Sequence, residues 1–377
     1  MIYLDNAATT KPCDEAVKAM LESAEVFGNP SSLHGLGLQC EKKIKEVKEI
    51  IARNLSCDLK NIYFTSGGTE ANNTIISGVA YARRKQGEHL VTTMIEHPSV
   101  IETFKKLEAD GFCVTYLKPD TDGRISIDDL KNAITDKTTL ISIMHVNNET
   151  GVIQPVDEVR DAIIDVCPDA LIHSDCVQSF GKIPVNVKKL KVDFVTISAQ
   201  KIHGFKGVGA MYISDKRKIR PMILGGEQQE EIRPGTENVG GIFAFGAATN
   251  CIKINSDDMR EKREYFKNLL LNNIDNIKIN GSDEFNSGSV LNVSFLGLRA
   301  EILLHSLEAK GVYVSTGSAC SSHKPQQSHV LAAMDCTKQE IDSAIRFSFN
   351  NYITKEELEN AAEIISKEVA QIRRFIR

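Results

Sequence analysis

The chain has 377 residues, 42% of them hydrophobic and 25% charged, with a net charge of -5. That length suits one large domain plus a smaller one and is too long for a single compact core. The mild acidity gives no reason to expect nucleic acid or an anionic membrane surface as partner. No apolar run reaches membrane-spanning length, and residues 1–6 have neither the basic start nor the apolar stretch of a signal peptide, so a cytoplasmic protein is expected.

Taken in chain order, short apolar runs alternate with amphipathic stretches. Strands are predicted over 61–65, 89–93, 113–117, 139–144, 171–173 and 194–197, with helices over 69–82, 100–107 and 156–166. Such βα units predict an α/β fold with a mostly parallel sheet. After about residue 255 the texture changes. Charged helices over 257–271 and 355–375 flank strands at 289–295 and 312–315, which reads as a smaller α+β domain. The expected division is a large domain over 15–255 and a small one made of 1–14 and 256–377.

Nine cysteines are scattered along the chain at positions 13, 40, 57, 113, 167, 176, 251, 320 and 336, with no CxxC pair. A disulfide framework is not expected, and a structural zinc site has no local support; most of these thiols read as small buried hydrophobes.

Three stretches carry chemistry. In the first, the strand ending at Thr65 runs through Ser66, Gly67 and Gly68 into a helix opened by Thr69. A helix N-terminus has unpaired N–H groups and a partial positive charge, and the glycines permit close approach, so the turn suits a phosphate. It is neither a Walker A loop nor GxGxxG, and it would equally serve as a tight turn with Thr69 as an ordinary N-cap. In the second, Asp175 sits at the end of the 171–173 strand and Lys201 just past the 194–197 strand, at the sheet edge where ligands bind in open α/β folds. A carboxylate to pair with a protonated pyridine nitrogen, and a lysine to form a Schiff base, are the two groups that pyridoxal phosphate (PLP) requires. Lys206 is the alternative lysine; Lys201 is preferred because it directly follows the apolar strand and Ser198. In the third, Cys320 lies in a run of small and hydroxylic residues, Ser315 to Ser322, with His323 and Lys324 beside it. That setting favours a mobile, exposed thiolate over a buried structural thiol, although an inert loop cysteine would look the same.

In this order the three stretches resemble the NifS/IscS-like cysteine desulfurases, fold-type I PLP enzymes of the class-V aminotransferase family. Further matches run from Tyr3-Leu4-Asp5-Asn6-Ala7-Ala8 through Gly28-Asn29-Pro30, Glu96-His97-Pro98-Ser99, Asn147-Asn148-Glu149-Thr150-Gly151 and Arg233-Pro234-Gly235-Thr236 to Arg346-Phe347-Ser348. The resemblance covers essentially the whole chain. It implies that Gly68 and Thr69, helped by Ser198, hold the phosphate, and that Asp175 pairs with the ring nitrogen. Asn148 and Gln178 would bond the ring's hydroxyl side, and His97 would stack on the ring and assist proton transfer. Thr236 would be lent to the neighbouring subunit's phosphate in a homodimer, and Arg346 would grip the carboxylate of L-cysteine with its planar fork. Cys320 would take the sulfur as a persulfide and hand it to an acceptor protein, an iron–sulfur scaffold or a thiolation protein.

Two departures stand out. Gln200 replaces the family's usual histidine before the lysine, and Phe205 and Phe349-Asn350 replace the usual Pro and Leu-Gly. Gln donates a hydrogen bond but carries no charge, which bears on the phosphate contact, and the other changes predict local loop differences. The competing functions are a selenocysteine lyase or other PLP β-lyase of the same fold, and a non-catalytic sulfur-assembly partner. The last would be expected to lack Lys201, Asp175 or Cys320, and all three are present.

Overall fold

A computed structural model describes residues 1–316 and 327–376. Its strands are β1 (Ile2–Tyr3), β2 (Ile62–Thr65), β3 (His89–Thr93), β4 (Cys113–Leu117), β5 (Thr138–Ser142), β6 (Leu171–Asp175), β7 (Phe194–Ser198), β8 (Gly209–Ile213), β9 (Ile277–Asn280), β10 (Val290–Phe295), β11 (Val312–Tyr313) and β12 (Ala344–Ser348). Helices α1 (Asp14–Glu22), α2 (Gly35–Leu55), α3 (Gly68–Arg83), α4 (Pro98–Ala109), α5 (Ile127–Ala133), α6 (Val156–Ile163), α7 (Val187–Leu190) and α8 (Val239–Asn250) belong with strands β2 to β8. Helices α9 (Ser256–Asn273), α10 (Ala300–Ala309), α11 (His329–Ala333), α12 (Lys338–Asp342) and α13 (Lys355–Ile376) follow.

The main sheet has the order β2-β8-β7-β6-β5-β3-β4. All its pairings are parallel except those of β8, which runs against both β2 and β7. Two reversals return β2 to the direction of β7, so the C-terminal ends of β2, β3, β5, β6 and β7 share one edge. The central strands are buried on both faces and therefore read as continuous apolar runs. Helices pack on both sides, and their apolar stripes form two buried clusters, one around Ile51, Ile141, Ile172 and Phe245 and one around Ile75, Phe104 and Phe194.

A separate cluster, around Phe266, Phe295, Leu303, Phe347 and Leu358, also takes in Leu4. It lies between the antiparallel sheet β9-β10-β12 and helices α9, α10 and α13. The N-terminal segment connects it to the main sheet. β1 pairs with β11, Asn6 Nδ2 donates to Ser348 O at 2.9 Å, and the Thr10 hydroxyl donates to Gln200 O at 3.0 Å. Phe349, one of the departures from the family pattern, is buried edge-on to Phe266 with ring centroids 5.8 Å apart.

Candidate active site

The edge formed by the ends of β2, β3, β5, β6 and β7 opens onto a cavity of about 290 Å³. After β2, Gly67 adopts φ 154° and ψ -177°, a conformation open essentially to glycine, and offers no side-chain cap. The first N–H groups of α3 are thus left for a ligand. A Cβ on Gly68 would come 2.9 Å from Val177 Cγ2, so only glycine keeps the helix start this close to the strand end after β6. Glu70, which would repel an anion here, is drawn aside by Arg233 Nε at 2.8 Å, and burial notwithstanding, that bond and the Ser66 N–H hold its pKa below the usual carboxylate range.

Asp175 closes β6 and is 5% exposed. Its Oδ1 accepts the Val177 N–H at 2.9 Å and its Oδ2 accepts Asn72 Nδ2 at 2.7 Å. Asn72, one turn into α3, also donates to Ser99 Oγ at 2.9 Å, whose hydroxyl meets His97 Nδ1 at 2.8 Å. His97 is the N-cap of α4: Nδ1 accepts the Ser99 N–H at 3.1 Å, and Pro98 fills the first helical position. With Nδ1 accepting, the neutral ring carries its proton on Nε2. Burial lowers the His97 pKa, with Asp175 pulling the other way, so that neutral ring is favoured.

Lys201 leaves the turn after β7 and reaches into the same cavity, where Nζ donates to Ala7 O at 2.7 Å and to Ala8 O at 2.5 Å. Gln178 donates from Nε2 to Ala7 O at 3.0 Å, while its Oε1 accepts Lys182 Nζ at 2.7 Å. Burial, with the Lys201 and Arg346 charges nearby, brings Lys182 down to about 7. As the donor to Gln178 Oε1, Lys182 Nζ fixes which end of that amide faces the cavity. Arg346, on β12, is 4% exposed; Nη2 meets Asp5 Oδ1 at 2.9 Å and Nη1 donates to Asn148 O at 3.0 Å. Among the described residues its Nε, Asn148 Oδ1 and Asn72 Oδ1 are buried without a partner.

Gly68, Thr69, His97, Asn148, Asp175, Gln178, Ser198, Gln200, Lys201 and Arg346, all singled out from the sequence, line this one cavity. Lys206 does not, and is exposed. Thr236 is exposed and stands outside the cavity of its own chain, on the loop that Arg233 ties to Glu70. Cys320 lies outside the described residues. Sequence reasoning missed Asn72, Ser99 and Lys182. Asn72 lies four residues after Gly68, so the helical repeat from the glycine turn was a signal that could have found it.

The site fits PLP on its own terms. It offers an uncapped helix start for a dianion, a buried carboxylate anchored on its outer lone pairs, and an amine at a neighbouring strand end. Orphaned amide and guanidinium atoms, at Asn148, Asn72 and Arg346, await polar partners.

Residues 2–361 match the aminotransferase class-V family. Cysteine desulfurase IscS of Dictyoglomus turgidum is 42% identical over 99% of this chain and 95% of its own length. A putative cysteine desulfurase IscS 1 of Bacillus subtilis is 39% identical over 98% and 99%. Among solved structures, a NifS-like protein superposes with a TM-score of 0.92 at 35% identity, covering 98% of this chain and 99% of that one. SspA in complex with cysteine superposes with a TM-score of 0.84 at 32% identity, covering 94% and 100%.

Proposed function

Because the chain belongs to the class-V aminotransferase family, among the IscS/NifS cysteine desulfurases, we propose that it is a PLP-dependent enzyme that converts L-cysteine to L-alanine and a persulfide on Cys320. The observation that carries this reading is the convergence of Lys201, Asp175 and Arg346 on one cavity beside an uncapped helix start. Bound PLP supplies an electron sink for carbanion chemistry at the substrate Cα.

The chain's own residues do the rest. Gly68, Thr69 and Ser198 receive the phosphate, and Asp175, oriented by Asn72 and the Val177 N–H, keeps a proton on the ring nitrogen. Arg346 holds the substrate carboxylate, a charge-assisted contact that its planar fork makes directional. Lys201 Nζ, at a neighbouring strand end to Asp175, is the base that moves the Cα proton. His97, neutral with its proton on Nε2, donates and recovers a proton at that atom. The Cys320 thiolate attacks the substrate sulfur, the C–S bond breaks as the S–S bond forms, and the released electron pair returns toward Cα and Cβ, which are protonated on the way to alanine.

We also infer a homodimer in which Thr236 serves the neighbouring subunit's phosphate. Its exposure, and its place on a loop tied by Arg233 to the phosphate turn, support this. The persulfide passes to an acceptor protein for iron–sulfur or thio-cofactor assembly. A cytoplasmic setting suits a catalytic thiol in a chain whose eight described cysteines are unpaired. Among the described residues no helix is long and apolar enough to cross a membrane. The test is reconstitution with PLP followed by L-cysteine and a reductant. Alanine and sulfide should form one for one, and their absence would refute the proposal.

A further inference from the structure

Cys251 is more than two hundred residues from Cys13 and Glu15 in sequence, and none of the three lines the catalytic cavity, yet their two Sγ atoms and a carboxylate oxygen all lie within 4.8 Å of one another. Among the described residues this is the one such grouping of metal-ligating side chains. Cys13 is the N-cap of α1, Glu15 lies in its first turn, and Cys251 caps the end of α8, the helix against which α1 packs. The two sulfurs and the Glu15 carboxylate oxygen, brought together from the start of α1 and the end of α8, face a common spot.

From this convergence we propose that Cys13, Glu15 and Cys251 bind one thiophilic divalent cation of the zinc class, with a water in the fourth position, clamping the start of α1 to the end of α8. Two sulfurs and one oxygen, in a three-ligand set with an open position, suit a tetrahedral ion with soft-ligand preference. Binding releases two thiol protons, and two thiolates and a carboxylate on the ion leave a net charge of -1. The clamp reaches the active-site turn through one link. The Cys13 N–H donates to His203 O at 2.9 Å, two residues beyond Lys201.

The probe is Co²⁺ alone, titrated into the PLP-loaded Cys320→Ala protein, which lacks the competing proposed nucleophile. The expected result is one Co²⁺ per chain, with tetrahedral ligand-field bands in the red, clear of the cofactor's absorption, and a raised melting temperature. Cys13→Ser and Cys251→Ser should each lose those bands. Glu15→Gln should weaken binding by roughly 10-fold or more, since even outer-shell losses at metal sites cost about that much. Cys113→Ser, at an exposed thiol elsewhere, should change nothing. The proposal is overturned if the bands are missing or survive both serine variants. It is equally overturned if mild oxidation of the same protein joins the two peptides as a disulfide while Co²⁺ fails to bind to the reduced form. Cofactor binding and desulfurase turnover in the Cys13→Ser single variant are expected to persist, so failure here is separable from failure of the catalytic reading.

Discussion

Arg346 and Asp5 form an ion pair 2.9 Å long, from the middle of β12 to the segment just after β1. It holds the guanidinium at the cavity's edge before any substrate arrives, with Nη1 committed to Asn148 O and the buried Nε left over. On the proposed reading, a substrate carboxylate would meet a fork already aimed, in place of a mobile side chain that must first be ordered.

Arg346→Lys replaces that fork with a point charge. Hydrogen bonds to charged groups are worth about 1.5–3 kcal/mol, so KM for L-cysteine should rise roughly 10- to 100-fold. The cofactor's visible band should be retained. Steady-state kinetics with parallel absorbance spectra check this; an unchanged KM would remove Arg346 from carboxylate binding.

Lys201→Ala should abolish the yellow colour of the PLP-loaded protein and its borohydride-stable attachment, along with turnover. Lys206→Ala, at an exposed lysine outside the cavity, should retain all three. Mass spectrometry of the borohydride-reduced protein locates the modified lysine, and a tag on any other lysine would show the assignment to be wrong.

Cys320→Ala should keep bound PLP and still show the spectral response to L-cysteine, since the proposed mechanism assigns both to Lys201, Asp175 and Arg346. Alanine, sulfide and protein-bound persulfide should all disappear. In the unmodified enzyme, a cysteine pulse without reductant should add sulfur to the peptide containing Cys320. Activity on selenocysteine alone in the variant would point to a lyase; undiminished alanine from L-cysteine would show that sulfur leaves by elimination.

Glu96 gives a stability signature. It is fully buried, its Oε1 accepts the Met144 N–H at 2.7 Å and the Thr93 hydroxyl at 3.0 Å, and its Oε2 has no partner. Burial pushes its pKa up to about 8, with the Asp175 charge adding to the rise. A carboxyl whose folded pKa is raised binds its proton more tightly when folded, so its stabilisation is complete below about 4.5 and is lost as pH climbs through 8. Glu96→Gln, a permanently neutral near-isostere, should flatten that limb and gain stability relative to the unmodified protein above pH 8. Denaturant melts from pH 5 to 9 would measure it; parallel curves for the two proteins would mean Glu96 is ionised in the fold.

Elements with a one-sided or uniformly apolar pattern were legible from sequence. The 89–93 strand appears as β3 without a shift, and the 257–271 and 355–375 helices appear as α9 and α13 with ends moved by a residue or two. Residues 194–197 and 171–173 extend into Ser198 and Asp175, which close their strands at the edge of the cavity. α8 went unassigned because it is sandwiched between α1 and α2 and buried around most of its circumference. Its small residues, such as Gly246 against Val47, leave no amphipathic period to detect. β8 went unassigned too, and its reversed direction could not be read from a short apolar run, because pairing sense is a property of two strands and not of one.

The amino-acid sequence by itself pointed to the glycine turn and to a lysine and a carboxylate at neighbouring strand ends, because these depend on residue types at local spacing, and the ordered run of motifs along the chain carried the resemblance to the family. Only the tertiary structure decided that Asn72 orients Asp175, that Lys182 fixes the Gln178 amide, that Asp5 pre-aims Arg346, and that Cys13, Glu15 and Cys251 meet. Each of these joins groups from different elements. The free energy that brings them together comes from burying apolar faces elsewhere in the chain, so no local pattern records the contact.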